Sequence, residues 1–127
     1  MRQNISSGSK WEPQVGYSRA VRNKDAVYVS GTVGVAADGS IPPDAYGQAR
    51  RALAIIAEAL RNAGADLTDV VRTRIYLTDM AHFPAIARAH AEVFGAIRPA
   101  TSAVAISALV EPAFVVEIEA DALIAAE

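Results

Sequence analysis

The sequence predicts an α+β fold, with one sheet that carries two helices on one of its faces. Two long segments repeat apolar residues at helical spacing, and several shorter segments alternate apolar and polar residues as strands do. The two kinds of segment are mixed along the chain, which favours helices and strands packed around a common core. With 127 residues, 52% of them hydrophobic, the chain suits a single domain, which we expect to span residues 1–127.

The N-terminal part of the chain is predicted to be an arm followed by a β-hairpin. Residues 1–12 begin with a polar stretch rich in Ser, Asn and Gly, and we expect a flexible arm there. Residues 15–22 are predicted to be one strand, and the β-branched and aromatic residues 26–32 (AVYVSGT) the next. Because a turn-forming Asn-Lys-Asp lies between them, these two strands should pair.

Two helices are predicted in the middle of the chain. The first covers residues 44–63, where apolar residues recur at helical spacing and polar residues fall on the other faces. The second is capped by Thr78 or Asp79 and extends to about Phe94. Its inner apolar stripe includes His90, which we expect to be a buried, hydrogen-bonded histidine rather than a base.

Three further strands complete the predicted order ββ-α-β-α-ββ. Residues 70–77 (VVRTRIYL) alternate between an apolar and a polar face. The apolar face is expected to hold Val71, Thr73, Ile75 and Leu77, and the polar face Arg72, Arg74 and Tyr76. Residues 100–106 and 115–124 are predicted to be the last two strands.

The last predicted strand places three carboxylates on one face. Glu117, Glu119 and Asp121 occupy alternate positions, and the positions between them are apolar. Because unpaired carboxylates cannot lie in a dry interior, the apolar positions must face the core. Two interpretations remain open for the acids. They pair with basic groups across a sheet face or subunit contact, or one of them is held near a ligand and transfers protons.

The composition excludes several classes of function. The formal net charge is −2 and no stretch is strongly basic, so the chain lacks the electrostatic signature of nucleic-acid binding. The absence of cysteine excludes disulfides and thiolate chemistry, and the two histidines lack the paired spacing of a metal site. No apolar run approaches the roughly 20 residues of a membrane span, and no secretory signal is visible. We therefore expect a cytoplasmic protein.

The most specific motif is residues 98–119 (RPATSAVAISALVEPAFVVEIE). It resembles the C-terminal signature of the RidA (YjgF/UK114) family, which has a Pro-Ala-Arg-Ser start, an apolar strand, a short spacer, and then an apolar residue followed by Glu-Ile-Glu. Other features of the family occur in the right order, at Gly16-Tyr17, 29–31 (VSG), 48–50 (QAR) and 76–79 (YLTD). The resemblance covers residues 16–122, which makes a chance match improbable.

The resemblance implies a chorismate-mutase-like α+β domain, with a mixed six-stranded sheet and two helices on one face. It also implies a homotrimer with small-molecule clefts at the subunit boundaries, and hydrolysis of reactive enamines or imines to a carbonyl compound and ammonia. The implied activity is of the 2-iminobutanoate/2-iminopropanoate deaminase type and uses no metal or organic cofactor. Glu117 would position or activate water, while Tyr17, Ser30 and Gly31 would line the cleft.

The sequence departs from the family at one site position. The family's carboxylate-binding arginine aligns with Thr101, which cannot provide a bidentate charged clamp. Either another cation replaces this arginine, or the ligand is not a 2-imino acid. Arg74 is the first candidate replacement, because a strand arginine on the polar face could reach an interface cleft, and Arg98 is the second.

The missing arginine also keeps a second class of function open. In this alternative the chain is a non-catalytic small-molecule-binding or regulatory trimer on the same scaffold. A ribonuclease activity, which is attributed to some relatives, is disfavoured by the net charge of −2 and the lack of a basic patch.

Overall fold

The computed structural model describes residues 1–125, which form six strands and three α-helices. The strands are β1 (Arg2–Ile5), β2 (Ala20–Asn23), β3 (Ala26–Thr32), β4 (Val70–Leu77), β5 (Ala100–Ala105) and β6 (Val116–Leu123). The helices are α1 (Trp11–Val15), α2 (Ala45–Asn62) and α3 (Phe83–Phe94). Short 3-10 turns at Leu67–Asp69 and Met80–His82 precede β4 and α3.

All six strands belong to one sheet, in the order β1-β2-β3-β6-β4-β5. β4 and β5 are parallel, while the other neighbouring strands are antiparallel. The connection between the two parallel strands contains α3, as a parallel pair requires a long crossover. The mixed six-stranded sheet expected from the resemblance is confirmed.

The N-terminal segment differs from the expected flexible arm over residues 1–12. Arg2–Ile5 pairs along its length with β2 and extends the sheet by one strand. Three of its four residues are exposed, so the segment lacks the apolar alternation that identifies a strand in a sequence. Its stability in the sheet comes from backbone hydrogen bonds and from the burial of Ile5.

The strand predicted over residues 15–22 was placed too early. Trp11–Val15 is instead a short helix, and Gly16 ends it in the left-handed conformation with a φ of 91°. The strand proper begins at Ala20. The other predicted elements agree with the structure to within a few residues at their ends.

Helices α2 and α3 cover one face of the sheet and supply much of the core. Leu53, Ile56 and Leu60 of α2 are fully buried, and so are Val116 and Ile118 of β6 beneath them. The acidic positions of β6 project from the opposite face, as their alternation predicts. Within the described residues, no helix is both long and apolar enough to cross a membrane.

Two register shifts change which side chains face the core. In the pairing of β4 with β6, Val70 lies opposite Ala122 and Arg72 opposite Asp121, so Val71 is an extra residue. Val71 is therefore 45% exposed, and its predicted place on the apolar face is wrong; Val70 is buried instead. The second shift lies in β3 and shapes the site described next.

Candidate functional site

A cleft of about 1200 Å³ opens beside the first residues of β6, where Glu117 lies. Its walls are the N-terminal loop, the end of β3 with the loop that follows it, one side of α2, and the segment leading into β6. Four of the six residues predicted from the sequence line this cleft: Tyr17, Ser30, Gly31 and Glu117. The other two, Arg74 and Thr101, lie elsewhere in the chain.

The carboxyl group of Glu117 lies directly against the backbone of Gly31. A Cβ atom built on Gly31 would come within 2.5 Å of Oε2 and 2.8 Å of Cδ of Glu117. The register shift explains this approach, since Val29 lies opposite Ala120 but Thr32 lies opposite Ile118. Ser30 and Gly31 of β3 thus share the position opposite Glu119 of β6, and the extra residue turns Gly31 toward the face of the sheet that carries Glu117. Any larger residue in place of Gly31 would displace the carboxyl group.

A buried glutamine fixes the start of the strand that carries Glu117. Gln48 of α2 donates from Nε2 to the carbonyl oxygens of Pro42 (3.0 Å) and Ala113 (2.9 Å). Its Oε1 accepts a hydrogen bond from the amide of Val115 at 2.9 Å. Because these bonds tie α2 to the segment just before β6, the position of Glu117 is set by the helix as well as by the sheet.

The environment of Glu117 favours its protonated form. Burial raises the pKa of Glu117, the positive charge of Arg19 opposes that rise, and the negative charge of Glu119 adds to it. No ion pair formed within residues 1–125 includes Glu117. A half-buried carboxyl group with a raised pKa and no ion-pair partner is suited to accept a proton and return it.

Arg19 is the cation beside Glu117, and the sequence analysis did not select it. The residue is buried, with only 8% of its surface exposed. Its amide donates to the carbonyl of Ile5 at 2.8 Å, and its carbonyl accepts from the amide of Ser30 at 2.9 Å. Nη2 donates to the carbonyl of Gly31 at 3.0 Å, while Nε has no hydrogen-bond partner among the described residues. The charge is therefore held rigidly in the cleft wall with donor capacity to spare.

Ser30 and Tyr17 support this arginine. The hydroxyl of Ser30 donates to the carbonyl oxygen of Ser18 at 2.7 Å, which fastens the segment before β2 onto β3. The ring of Tyr17 lies 5.4 Å from the guanidinium carbon of Arg19, within the range of a cation–π contact. These two predicted residues thus border the cleft and hold Arg19 in place.

The second and third acids of β6 are both paired with Arg74, the first candidate for the missing cation. Nη1 of Arg74 lies 3.2 Å from Glu119 and 3.3 Å from Asp121, and the hydroxyl of Tyr76 donates to Glu119 at 2.9 Å. This hydrogen bond is the largest cause of the raised pKa of Tyr76. Arg74 is not among the residues that line the cleft, because the strand register places it opposite Glu119. Arg98, the second candidate, is exposed and also lies outside the lining.

Thr101 lies on the exposed edge strand β5 and belongs to a separate polar chain. Its hydroxyl is 2.8 Å from that of Thr73, which in turn is 2.9 Å from Nε2 of His90. Burial lowers the pKa of His90, so its ring stays neutral at physiological pH. His90 is thus hydrogen-bonded, as predicted, but it is half-buried rather than buried. Residues 1–125 contain no group of three or more side chains suited to hold a metal ion.

Comparisons with known proteins identify the family. A family model described as endoribonuclease L-PSP matches residues 8–124. The crystal structure of Rv2704 from Mycobacterium tuberculosis, a member of the YjgF/YER057c/UK114 family, has a TM-score of 0.91 and 49% sequence identity, covering 98% of this chain and 100% of its own. The chain belongs to the RidA (YjgF/UK114) family. The predicted family membership is confirmed.

Two relatives of this RidA-family chain have names that state an activity. The 3-aminoacrylate deaminase RutC of Acinetobacter baylyi is 37% identical over 108 residues, which are 84% of this chain and 85% of the relative. The 2-iminobutanoate/2-iminopropanoate deaminase of Capra hircus is 34% identical over 108 residues, which are 83% and 79% of the two chains.

The RidA resemblance selected the acid of the cleft but not its cation. Arg19 directly follows Tyr17 and Ser18, and nothing in its local sequence separates it from a solvated strand arginine. Its burial depends on contacts with Ile5 and Ser30, which lie 14 and 11 residues away along the chain. The only feature of the sequence that points to Arg19 is its position beside Tyr17, just before strand β2. That signal is weak.

Proposed function

We propose that this protein hydrolyses reactive enamines or imines to a carbonyl compound and ammonia, with Glu117 as the residue that transfers protons. The observation that carries the proposal is the Glu117 carboxyl group, which lies against Gly31 in a cleft and has no ion-pair partner within the described residues. The two other acids on its face of β6 are paired with Arg74 and are not available for the same role.

The proposed reaction needs one group that accepts a proton and then returns it. Water adds to the imine carbon while the Glu117 carboxylate takes a proton from that water, so a C–O bond forms. The carboxyl group then gives its proton to the nitrogen, which completes a carbinolamine. Glu117 next takes the hydroxyl proton of this carbinolamine and passes it to the same nitrogen, so the C–N bond breaks and ammonia leaves as the carbonyl forms. Burial raises the pKa of Glu117 toward neutral pH, which favours its use both as the acceptor and as the donor of the proton.

An enamine substrate enters the same sequence after one proton transfer. Protonation of its β-carbon gives the iminium ion, which water then attacks in the same way. A protonated Glu117 can supply this first proton. The two relatives named as deaminases act on substrates of these kinds, 3-aminoacrylate and 2-iminobutanoate or 2-iminopropanoate, which supports the same reaction class for this chain.

We further propose that the protein works as a homotrimer. Strand β5 is an unpaired sheet edge whose residues are mostly exposed, and several large apolar side chains are exposed on the described surface. Those on or beside the sheet are Tyr28, Val71, Val104 and Leu123. Contacts with other subunits would cover the unpaired edge of β5 and bury these apolar side chains, which a monomer leaves exposed to water. Light scattering at micromolar concentration should give the mass of three chains, and the mass of one chain would contradict the assembly.

The test of the activity is an assay on imines made in situ. An amino-acid oxidase generates imines from several amino acids, and semicarbazide traps whatever has not been hydrolysed. The protein should lower the yield of semicarbazone, and Glu117→Gln should slow the hydrolysis by about 10²- to 10⁴-fold. Asp121→Asn is the matched control, because it changes an acid of the same strand and face that is paired with Arg74. It should keep the wild-type rate to within about twofold.

Two results would contradict the proposal. Equal losses in the two variants would mean that Glu117 acts on the fold rather than on the reaction. No rate above the spontaneous one with any imine would favour the alternative, a non-catalytic small-molecule-binding or regulatory trimer. The observation behind this alternative is Thr101, which carries no charge where the family has its arginine.

A further inference from the structure

Arg19 carries a buried positive charge with few hydrogen-bond partners, and the reaction proposed above gives it no role. An arginine that is only 8% exposed as a residue needs hydrogen-bond acceptors or a counter-charge to offset its lost hydration. Within residues 1–125 it forms no ion pair, its single side-chain hydrogen bond goes to the carbonyl of Gly31, and its Nε is unpaired. A buried cation in a cleft wall with this many free donors is suited to an anion that arrives from outside.

The position of Arg19 relative to Glu117 decides what such an anion would be. Nη2 of Arg19 lies 3.0 Å from the carbonyl oxygen of Gly31, and the Glu117 carboxyl group packs against the same glycine. The guanidinium of Arg19 and the carboxyl group of Glu117 thus both contact Gly31 and lie on either side of it. A small substrate with its negative charge at Arg19 would have its neighbouring atoms beside Glu117.

The other cations of the cleft are less suited to this role. Lys10 is exposed and lies over the ring of Trp11 at 5.3 Å, so it keeps its hydration. Arg51 also lines the cleft, but its Nε donates to the carbonyl of Val35 at 2.8 Å, and it does not appear among the charges that act on Glu117. Arg19 combines burial, free donors and proximity to the reacting acid.

Arg19 is also held in place before any ligand binds. Its backbone is hydrogen-bonded on both sides, to Ile5 and Ser30, and its side chain is fixed by Gly31 and the ring of Tyr17. A preorganised cation loses little conformational freedom on binding, so more of its interaction with an anion appears as affinity.

We propose that Arg19 binds the carboxylate of the substrate, in the role for which the family arginine is missing at Thr101. The inference rests on the proposed function and deepens it, because it restricts the substrates to imines and enamines that carry a carboxylate next to the reacting carbon. The carboxylate contacts the guanidinium of Arg19, and the C=N group lies toward Glu117.

The kinetic test compares substrates with and without a carboxylate. Arg19→Gln should raise KM for imines of amino acids by about 10- to 100-fold, the range expected for a charge-assisted hydrogen bond, with a smaller change in kcat. Imines made by an amine oxidase, which lack the carboxylate, should show no such increase. Arg22→Gln is the matched control, since it removes an arginine of the adjoining strand β2 that does not line the cleft, and it should leave both KM values unchanged.

An equilibrium test separates this inference from the proposed activity. Isothermal titration calorimetry with 2-oxobutanoate, which has the carboxylate and the carbonyl of a product, should show binding to the wild type and about 10- to 100-fold weaker binding to Arg19→Gln. Butanone, which lacks the carboxylate, should not bind the wild type under the same conditions. This second comparison needs no variant, so it stands even if Arg19→Gln unfolds.

The outcomes are distinguishable. If no imine is hydrolysed but 2-oxobutanoate binds and Arg19→Gln weakens it, the proposed function fails and the carboxylate site stands. If Arg19→Gln binds 2-oxobutanoate like the wild type, or loses activity equally on substrates with and without a carboxylate, Arg19 is a structural residue and the inference is overturned. Equal binding of 2-oxobutanoate and butanone by the wild type would overturn it as well.

Discussion

Glu117 and Asp121 lie four residues apart on the same face of β6, yet their surroundings differ completely. Asp121 shares Arg74 with Glu119, and all three side chains are partly exposed, at 40% for Arg74 and 27% for each acid. Glu117 lies in a cleft, against Gly31 and beside a buried arginine, without an ion pair to any described residue. An alternating acidic strand is therefore not one functional unit, because the neighbouring strand decides the role of each acid.

The two ends of β6 also differ in what they contribute to stability. Exposed ion pairs such as those of Arg74 stabilise a protein by about 0–1 kcal/mol each. The other end buries a carboxyl group and an unpaired guanidinium Nε, both of which cost stability rather than add to it. A fold that keeps such a costly arrangement at one end of a strand, next to a cleft, favours a functional role for that end.

After the loss expected for Glu117→Gln itself, the next largest effect on this comparison is expected at Gly31. In Gly31→Ala the new Cβ would overlap Oε2 and Cδ of Glu117, and the flexible carboxyl end would move away. Because a displacement of about 1 Å can cost roughly 100-fold in rate, we expect a loss of that order in imine hydrolysis. The backbone of Gly31 has no positive φ, so the melting temperature should change little.

A matched glycine helps to interpret that variant. In Gly34→Ala the added Cβ would meet the backbone of Gln48, which cannot move as a side-chain end can. This variant should lower the melting temperature, whereas Gly31→Ala should lower only the rate. Full activity in Gly31→Ala would contradict the position assigned to Glu117.

The next effect concerns the polar chain beneath the edge strand. Thr73→Val removes the hydroxyl that joins His90 to Thr101 and leaves the half-buried imidazole without this partner. We expect the free energy of unfolding to fall by about 1–3 kcal/mol, measured by urea denaturation. Thr101→Val removes a hydroxyl at the exposed end of the chain and should cost less than about 1 kcal/mol. A larger cost for Thr101→Val than for Thr73→Val would contradict this assignment.

The smallest effect is a dependence of stability on pH at Glu117. Because burial raises the pKa of Glu117 in the folded state, its contribution to stability is full below the unfolded pKa and is lost as the pH rises through the folded pKa. Glu117→Gln removes this loss. The variant should therefore unfold at a higher temperature than the wild type at pH 8, by an amount equivalent to about 1 kcal/mol or less, since the group is half exposed.

The same comparison at pH 4 provides the control for that shift. There the wild-type carboxyl group is largely protonated, and the difference between the two proteins should shrink. A variant that is less stable than the wild type at pH 8 would mean that the ionised carboxylate is stabilised by Arg19 more than it is destabilised by burial.

The sequence alone predicted the elements whose side chains alternate or repeat clearly. The bounds of β4 agree with the prediction, and the faces of β6 follow directly from its alternation. β1 was missed because it contains one apolar residue and is held by backbone pairing with β2, which leaves no periodic pattern. Val71 was assigned to the wrong face because an extra residue in a strand cannot be seen in the sequence of that strand alone.

The sequence predicted only some of the residues that line the cleft, because the others are placed by strand pairing that the sequence does not show. Glu117, Tyr17, Ser30 and Gly31 were found through the resemblance to a family, and the structure brings them to one cleft. Arg74 was proposed from its strand face for a cleft between subunits, and within the chain the register of β4 with β6 places it opposite Glu119. Arg19 was not selected, because burial of its side chain depends on strands that are distant along the chain.

The most direct test of the comparison between the two ends of β6 is a carboxyl-carbon NMR titration of the wild type. Glu117 should titrate above the ordinary glutamate pKa of about 4.3. Addition of 2-oxobutanoate should shift its resonance and leave that of Asp121 in place. A Glu117 that titrates at or below the ordinary value and does not respond to 2-oxobutanoate, while Asp121 does, would contradict the assignment of the functional end of the strand.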